Sequence, residues 1–452
     1  MIISLGLGAM DYGEIARLCG ANAPDAVLGM RPLRLVTDSR EIQEGDLFCA
    51  LKGLDDGHKY AVEAARRGAF AVLAEKETAA SIPHIIVPSV RKALGDWAIG
   101  ASKSEKLLRI GITGSVGKTT TKDAVAAMLS PRYSVHATYG NFNNDLGLPF
   151  TLLSLPKGTE IAVCELGVNH PGEMCELSRI LRPHVSLITC IGHAHIGAFG
   201  TREAIAEEKL DILSHAEENG TLFVPSGEVL LSRIPPRGIR RVSVLPFDQA
   251  AYEEYALPAF RDDVGKNFAL AYAAAIGKML SLPKDTITSG LQSILSLETH
   301  RSEYRVGSML FIDDGYNASP ESMLGALRYL RAKGKGRRVA VLGDMLELGE
   351  GSERYHRAIG RFAAENADRL FFFGAYAKEY AKGAHAVGAR PQGEQGDTAC
   401  TFSLLKGEKE EIATAISSSL MSGDTVLFKA SRALRVEKII ELIKKRYLND
   451  GR

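Results

Sequence analysis

Residues 111–122 read GITGSVGKTTTK. The stretch grows out of a short apolar run, LLRIGIT (107–113), and leads into KTTTKDAVAAMLS (118–130), whose pattern is helical. A strand, a glycine-rich turn and a helix in that order are the parts of a phosphate-binding loop. Small residues let backbone N–H groups face the phosphates, and the helix N-terminus adds its partial positive charge. On this reading Gly114, Ser115, Val116, Gly117, Lys118, Thr119 and Thr120 cradle ATP. Lys118 supplies a point charge for the β and γ phosphates, the Thr119 hydroxyl is placed to ligate Mg²⁺, and Thr120 is a further hydroxyl in reach. The common GxxxxGK[ST] spacing would put glycine at 112, where this chain has Ile112. Nucleotide binding alone does not choose between a motor, a switch, phosphoryl transfer and activation of a carboxylate.

Outward from this loop, short apolar runs alternate with helical patterns. EIAVCEL, HVSLITCI, TLFVP, MLFIDD, RRVAVLG, RLFFFG and TVLFKA have the composition of strands buried on both faces. SPESMLGALRYLRAKG (319–334) is a helix by its signals: Pro320 and Glu321 at the start, an apolar stripe of Met323, Leu324, Leu327 and Leu330, and Gly334 at the end. The fold class is therefore α/β with parallel sheet. Two polar stretches, GASKSEKLLRIG and LSLETHRSEYRVG, divide the chain into pieces 1–104, 105–299 and 300–452, each of domain size.

Composition removes several function classes. The 452 residues carry 55 basic and 54 acidic side chains, a balance that gives no polyanion-binding surface, so nucleic acid is not expected as a partner. The six cysteines form no CxxC pair and are scattered through apolar runs, as buried thiols of a reduced, cytoplasmic protein are. MIISLGLGAMDYGE lacks a basic n-region and meets Asp11 early, so no signal peptide is expected. With no apolar run of 18 residues, no membrane span is expected either.

Four features follow the loop. GNFNNDLGLP (140–149) carries Asn141, Asn143 and Asn144, which on their own are ordinary turn formers. CELGVNHPGEM (164–174) puts Glu165 at the end of an apolar strand, the sheet edge at which ligands bind, where it can share a Mg²⁺ with Thr119. IGHAHIGAFG (191–200) puts His193 and His195 at a second strand end. Lys209 lies in AIAEEKLDIL, and by itself reads as a solvated lysine on an amphipathic helix.

Taken together, TGSxGKT, NNxxGLP, ELGxNHPGE and AHIGxFG, with a lysine fourteen residues beyond His195, resemble the Mur ligases. Within that family they are most similar to the members that add D-alanyl-D-alanine. The resemblance runs from about residue 35 to 440. It implies three domains: a small α/β N-terminal UDP-sugar-binding domain, a central domain with a P-loop ATPase-type parallel sheet, and a C-terminal Rossmann-like, acceptor-binding domain. It implies that Lys118, Glu165, His195 and Lys209 are catalytic, that Thr119 and Glu165 hold one Mg²⁺, that His195 helps hold a second, and that Lys209 carries a CO₂ adduct which ligates metal. Asn267, in GKNFALAYAAA, matches the family's asparagine near the adenine, although Lys266 precedes it where histidine is usual.

The flanking pieces carry the same resemblance. In TDSREIQEGDLFCALKGLDDGHKY (37–60), Ser39 and Arg40 match residues that bind the UDP-sugar, with Asn143 and Asn144 assigned to the same ligand. Arg301 and Asp314 match ATP-binding positions. Asn317, Lys429, Ser431 and Arg432 match acceptor-binding ones, with Ser319 standing for a usual asparagine and Ala430 for a usual glycine. Asp344 and Glu347, in LGDMLELG, are open to two readings, a metal pair or simple turn and N-cap chemistry. The activity implied is a cytoplasmic, monomeric, ATP-dependent ligation of D-alanyl-D-alanine to UDP-N-acetylmuramoyl-tripeptide through an acyl phosphate, with both flanking domains closing on the central one. The rivals are a sister ligase, a P-loop switch or motor, and a degenerate binding module. The DNPR signature of the diaminopimelate-adding ligase is absent, and a switch has no use for Lys209 or a UDP-sugar domain.

Overall fold

The computed structural model describes every residue except 54, 105, 233–237, 258–263, 296–300, 394–399 and 450–452. The division expected at 299–300 falls outside the described residues, and that expected after 104 abuts residue 105, which is also outside them.

The sequence forms three sheets in succession. The first has five strands in chain order, Ile2–Ser4, Arg34–Val36, Leu47–Cys49, Ala71–Ala74 and His84–Ile86, antiparallel at the first pair and parallel thereafter. The second has six parallel strands, ordered across the sheet as Arg240–Val244, Thr221–Pro225, Val185–Ile188, Leu108–Thr113, Ile161–Glu165 and Val135–Ala137. Leu108–Thr113 comes first in the chain and lies inside the sheet, so strand order reverses beside it. In an open α/β sheet, the crevice at the carboxyl ends beside such a reversal is where ligands bind.

The third sheet has seven strands, and three central neighbours matter for the site: Met309–Asp313, Thr425–Lys429 and Arg338–Leu342. The polar stretch after residue 300 turned out to hold an edge strand. Ser302–Val306 pairs antiparallel with Met309–Asp313 through a turn at Gly307 (φ +57°). Its face is largely exposed, as an edge strand allows, so no continuous apolar run announced it.

The apolar runs behave as their composition requires. Ile161–Glu165, Arg369–Phe373 and Thr425–Lys429 are buried along their whole length. Phe371, Phe372 and Phe428 are sealed from solvent, and each such side chain contributes about 1.5–3 kcal/mol of transfer free energy. The Pro320–Lys333 helix starts where expected, with Ser319 and Ser322 forming a reciprocal cap and Gly334 ending it. One apolar core joins the first sheet to the second: Leu35, Leu73 and Trp97 pack in the same cluster as Leu148, Phe150, Leu166 and Met174. Gly6 and Leu7 N–H donate to the carbonyls of Leu153 and Leu155, tying the N-terminal segment to the central piece. No helix among the described residues is long and apolar enough to cross a membrane.

Candidate active site

The three neighbouring strands at the reversal deliver the central site residues. Leu108–Thr113 runs into the loop, Ile161–Glu165 ends on Glu165, and Val185–Ile188 leads to His193 and His195. In the loop, Gly114 has φ +145°, and a Cβ there would meet Thr189 Oγ1 at 1.8 Å. Gly117 has φ +85° and stands at the N-terminus of the Lys118–Leu129 helix without a side-chain cap. The first-turn N–H groups of that helix are thereby left for an anion. Ser115 and Val116 are pinned from the facing strand end: Ser115 N donates to Cys190 O, Gly192 N to Ser115 Oγ, and Thr189 Oγ1 to Val116 O. Lys118 Nζ donates to Gly114 O at 2.9 Å.

Glu165 is buried and held at both oxygens. Thr119 Oγ1 donates to Oε2 at 2.7 Å, and Asn143 Nδ2 to Oε1 at 2.8 Å. Its backbone N–H donates to Thr138 Oγ1. Asn141, Asn143 and Asn144 do more than make a turn. All three line the cleft, Asn143 grips Glu165, and Asn144 Oδ1 takes the N–H groups of Leu146 and Gly147 at the start of the Gly147–Leu153 helix.

Lys209 is not a solvated lysine. It is buried near the end of the Arg202–Leu210 helix, and among the described residues its Nζ has no hydrogen-bond or ion-pair partner. Burial, reinforced by the nearby charge of Lys118, lowers its pKa to about 7. The adjacent Glu208 faces elsewhere, accepting from Gly172 N and Met174 N. His195 Nδ1 lies 2.5 Å from Glu347 Oε2, and burial holds the His195 pKa below the usual histidine value.

The third sheet presents its own strand ends to the same cleft. Asp314 receives Arg301 Nε and Nη2 at 3.2 Å each, and Arg301 stacks over Tyr329 at 4.1 Å. Lys429 is buried, 3.2 Å from Asp314 Oδ1, and donates to the carbonyls of Asp314 and Asn317. Burial pulls its pKa down. Ser431 Oγ accepts from Leu346 N, and Arg432 lies over the Tyr316 ring at 5.7 Å.

Most of these residues share one cleft of about 1130 Å³. It is lined by Lys118, Thr119, Glu165 and His195 on one side and by Arg301, Asp314, Asn317, Lys429, Ser431 and Arg432 on the other. Gly114, Lys209, Asn267, Ser39 and Arg40 lie off its walls. Asn267 is buried, accepting from Tyr252 OH at 2.9 Å, while its neighbours Gly265, Lys266 and Phe268 line the cleft. Ser39 and Arg40 sit in a 3₁₀ turn of the N-terminal piece, where Arg40 pairs with Asp38 at 2.6 Å. Lys52 pairs there with Glu75.

In the LGDMLELG turn, the Asp344 oxygens take Ala375 N and Tyr376 N, just ahead of the Ala377–His385 helix. Glu347 goes instead to His195. Sequence reasoning also missed Glu321, whose Oε1 lies 2.5 Å from His193 Nδ1. At the head of a helix, an acid reads first as a partner for the helix dipole.

Two family models match the chain: the Mur ligase middle domain over residues 112–274, and the Mur ligase glutamate ligase domain over 300–432. The UDP-N-acetylmuramoyl-tripeptide–D-alanyl-D-alanine ligase of Bacillus subtilis is 32% identical, across 90% of this chain and 92% of that protein. The chain belongs to the Mur ligase family. The protein of the same name from Treponema pallidum is 34% identical to this Mur ligase, across 96% of this chain and 99% of its own. Among solved structures, MurF from Acinetobacter baumannii superposes with a TM-score of 0.84 at 28% identity, covering 97% of this chain and 100% of that one. The MurF ligase of Thermotoga maritima, solved in complex with ADP, gives 0.78 at 28% identity over 92% and 98%. The expected α/β fold of a Mur ligase, here with three parallel-rich sheets, is thus present.

Proposed function

We propose that this Mur ligase joins D-alanyl-D-alanine to UDP-N-acetylmuramoyl-tripeptide with cleavage of ATP to ADP and phosphate, making the pentapeptide precursor of peptidoglycan in the cytoplasm. One observation carries the reading: the phosphate loop, Glu165 and His195 face Arg301, Asp314, Lys429 and Arg432 across a single cleft. Full-length similarity to ligases of that name supports it.

A carboxylate is a poor acyl donor because its leaving group would be oxide. Attack of the tripeptide carboxylate on the γ-phosphate gives an acyl phosphate and ADP. The amine of the dipeptide then attacks the acyl carbon, and phosphate leaves. Lys118 and the free N–H groups of its helix hold the β and γ phosphates and offset their charge. Arg301 and Asp314 hold the nucleotide from the far wall. Asn317, Lys429, Ser431 and Arg432 hold the dipeptide, with Arg432 the natural partner of its carboxylate. Ser39, Arg40, Asn143 and Asn144 bind the UDP-sugar substrate, and Asn267 orders the adenine end.

The donor set fits Mg²⁺: a hydroxyl and a carboxylate, Thr119 and Glu165, are already within 2.7 Å of one another. His195 serves a second ion. Lys209 fits a carbamate, since a buried amine with a pKa of about 7 and no partner is substantially unprotonated near neutrality and able to add CO₂. When bound, Mg²⁺ neutralises the charge that gathers as the γ-phosphoryl group moves.

Pieces 1–104, 105–299 and 300–452 then act as the UDP-sugar, ATP and acceptor domains. The shared core of the first two sheets supports closure by the C-terminal piece rather than by both flanks.

The test is incubation with ATP, Mg²⁺, UDP-N-acetylmuramoyl-tripeptide and D-alanyl-D-alanine, following phosphate and pentapeptide together. Stoichiometric formation of both, dependent on both acceptor and donor, is expected. ADP release indifferent to them would overturn the reading.

A further inference from the structure

His195 belongs to the central sheet and Glu347 to the C-terminal one, yet the two are built around each other. His195 Nδ1 and Glu347 Oε2 are 2.5 Å apart. Both residues are held in left-handed backbone conformation, at φ +61° and +64°. A non-glycine residue there is strained, so strain is stored at both ends of one contact. The main chains interlock beside it: Gly197 N donates to Glu347 O at 2.9 Å, and a Cβ on Gly197 would come within 2.9 Å of Glu347 O and Gly349 N.

Glu347 is also presented on a stiff turn. Asp344 is fixed by Ala375 N and Tyr376 N, Leu346 N by Ser431 Oγ, and Met345 N by His356 Nε2. His356 is itself buried and stacked on Tyr376. A neutral ring that gives its Nδ1–H to a carboxylate keeps its lone pair on Nε2, and such a carboxylate both orients the ring and strengthens it as a metal ligand.

We infer that Glu347 is a positioning residue for His195, so that the orientation of the His195 ring is set by docking of the C-terminal piece onto the central one. By linkage, metal at His195 and the docked arrangement then favour each other. The inference rests on the reading of His195 as a metal ligand. Its experiment is chosen so that the two can fail separately.

Mn²⁺ is titrated into the full chain with a non-hydrolysable ATP analogue, and bound ion is followed by electron paramagnetic resonance. His195→Ala, Glu347→Gln and Glu347→Ala are compared with the parent. The expected result is a weakening of the more loosely held ion in all three variants. Glu347→Ala should lose about 10–100-fold, and the isosteric Glu347→Gln less, because its amide oxygen still accepts from Nδ1–H. The Gly197–Glu347 main-chain bond survives both Glu347 substitutions, so their melting temperatures should stay near the parent's. If His195→Ala weakens binding and neither Glu347 variant does, the inference is wrong and the metal-ligand reading stands. If His195→Ala binds Mn²⁺ like the parent, the reading falls and the inference with it.

Discussion

Thr119 Oγ1 donates to Glu165 Oε2 across 2.7 Å, joining the first turn of the phosphate-loop helix to the end of the neighbouring strand. The bond sets two oxygen donors side by side at the cleft floor, the arrangement a hard dication requires. Thr119→Val keeps the shape and removes the hydroxyl. It should lower kcat/KM by about 100-fold or more and raise the Mg²⁺ needed for half-maximal rate. Thr119→Ser retains the oxygen and should stay within about tenfold of the parent. Initial rates across a Mg²⁺ titration distinguish the two, and equal losses in both variants would remove the hydroxyl from the metal site.

Lys209 allows a prediction about stability as well as rate. Its ordinary pKa is 10.5, and burial lowers it to about 7 in the folded chain. Between those values the unfolded chain binds more protons than the folded one, so stability rises with pH across that window and the burial penalty is fully felt below it. Lys209→Met abolishes the slope. Its gain in stability over the parent should be largest near pH 7 and below, and should shrink as pH rises, by up to about 1.4 kcal/mol per pH unit. Denaturation in CO₂-free buffer at pH 6.5, 8 and 9.5 reads this directly. In the assay, Lys209→Ala should be inactive and partly restored by short carboxylic acids, whose carboxylate stands in for the carbamate proposed at Lys209. Full activity without rescue would place Lys209 outside the chemistry.

What the sequence disclosed and what it hid divide along physical lines. Strands buried on both faces, such as RLFFFG and TVLFKA, announce themselves because most of their positions are apolar. The Ser302–Val306 edge strand does not, since one side faces water. Lys118, Thr119, Glu165 and Lys209 were legible through motif order, but the condition of Lys209 was not. An amphipathic pattern says which helix face is covered, not that a lysine on it is buried without a partner. Glu321 and Glu347 were hidden for another reason. Their partners, His193 and His195, are more than a hundred residues away in the chain and in another sheet. No local pattern encodes which two strand-end turns will meet.

Gly114 is the position where the phosphate loop tolerates least. Its φ of +145° excludes ordinary side chains, and a Cβ would strike Thr189 Oγ1, which itself holds Val116 O. Gly114→Ala must shift the loop away from the 189–192 segment, at a cost of about 1–3 kcal/mol in backbone strain alone. The strands on either side are fully buried and stay paired, so the protein should fold with a melting temperature lowered by several degrees. ADP and ATP-analogue affinity should fall by at least tenfold because the N–H groups no longer converge. Calorimetric titration checks this, and unchanged affinity would mean the loop does not hold the nucleotide.

The His193–Glu321 contact leads to a prediction about motion that is independent of metal. Glu321 sits in the first turn of the Pro320–Lys333 helix, with Oε1 2.5 Å from His193 Nδ1 and both oxygens 3.2 Å from His193 N. The His193 ring also lies 4.8 Å from that of Tyr355, a residue of the Ser352–Asn366 helix in the same C-terminal piece. Glu321→Ala therefore removes a fastening between sheets without touching the core of either. Loss of a partner to the half-buried His193 N–H costs up to about 1–3 kcal/mol, and here that cost weakens docking rather than folding. Hydrogen exchange should quicken at residues 192–197 and 344–349, while the Ile161–Glu165 and Thr425–Lys429 strands keep their protection. Scattering should show a larger radius of gyration. Pairing Glu321→Ala with His193→Ala in a double-mutant cycle should give a coupling of about 0.5–3 kcal/mol. Additive effects with unchanged exchange at 192–197 would show that the two side chains touch without holding the pieces together.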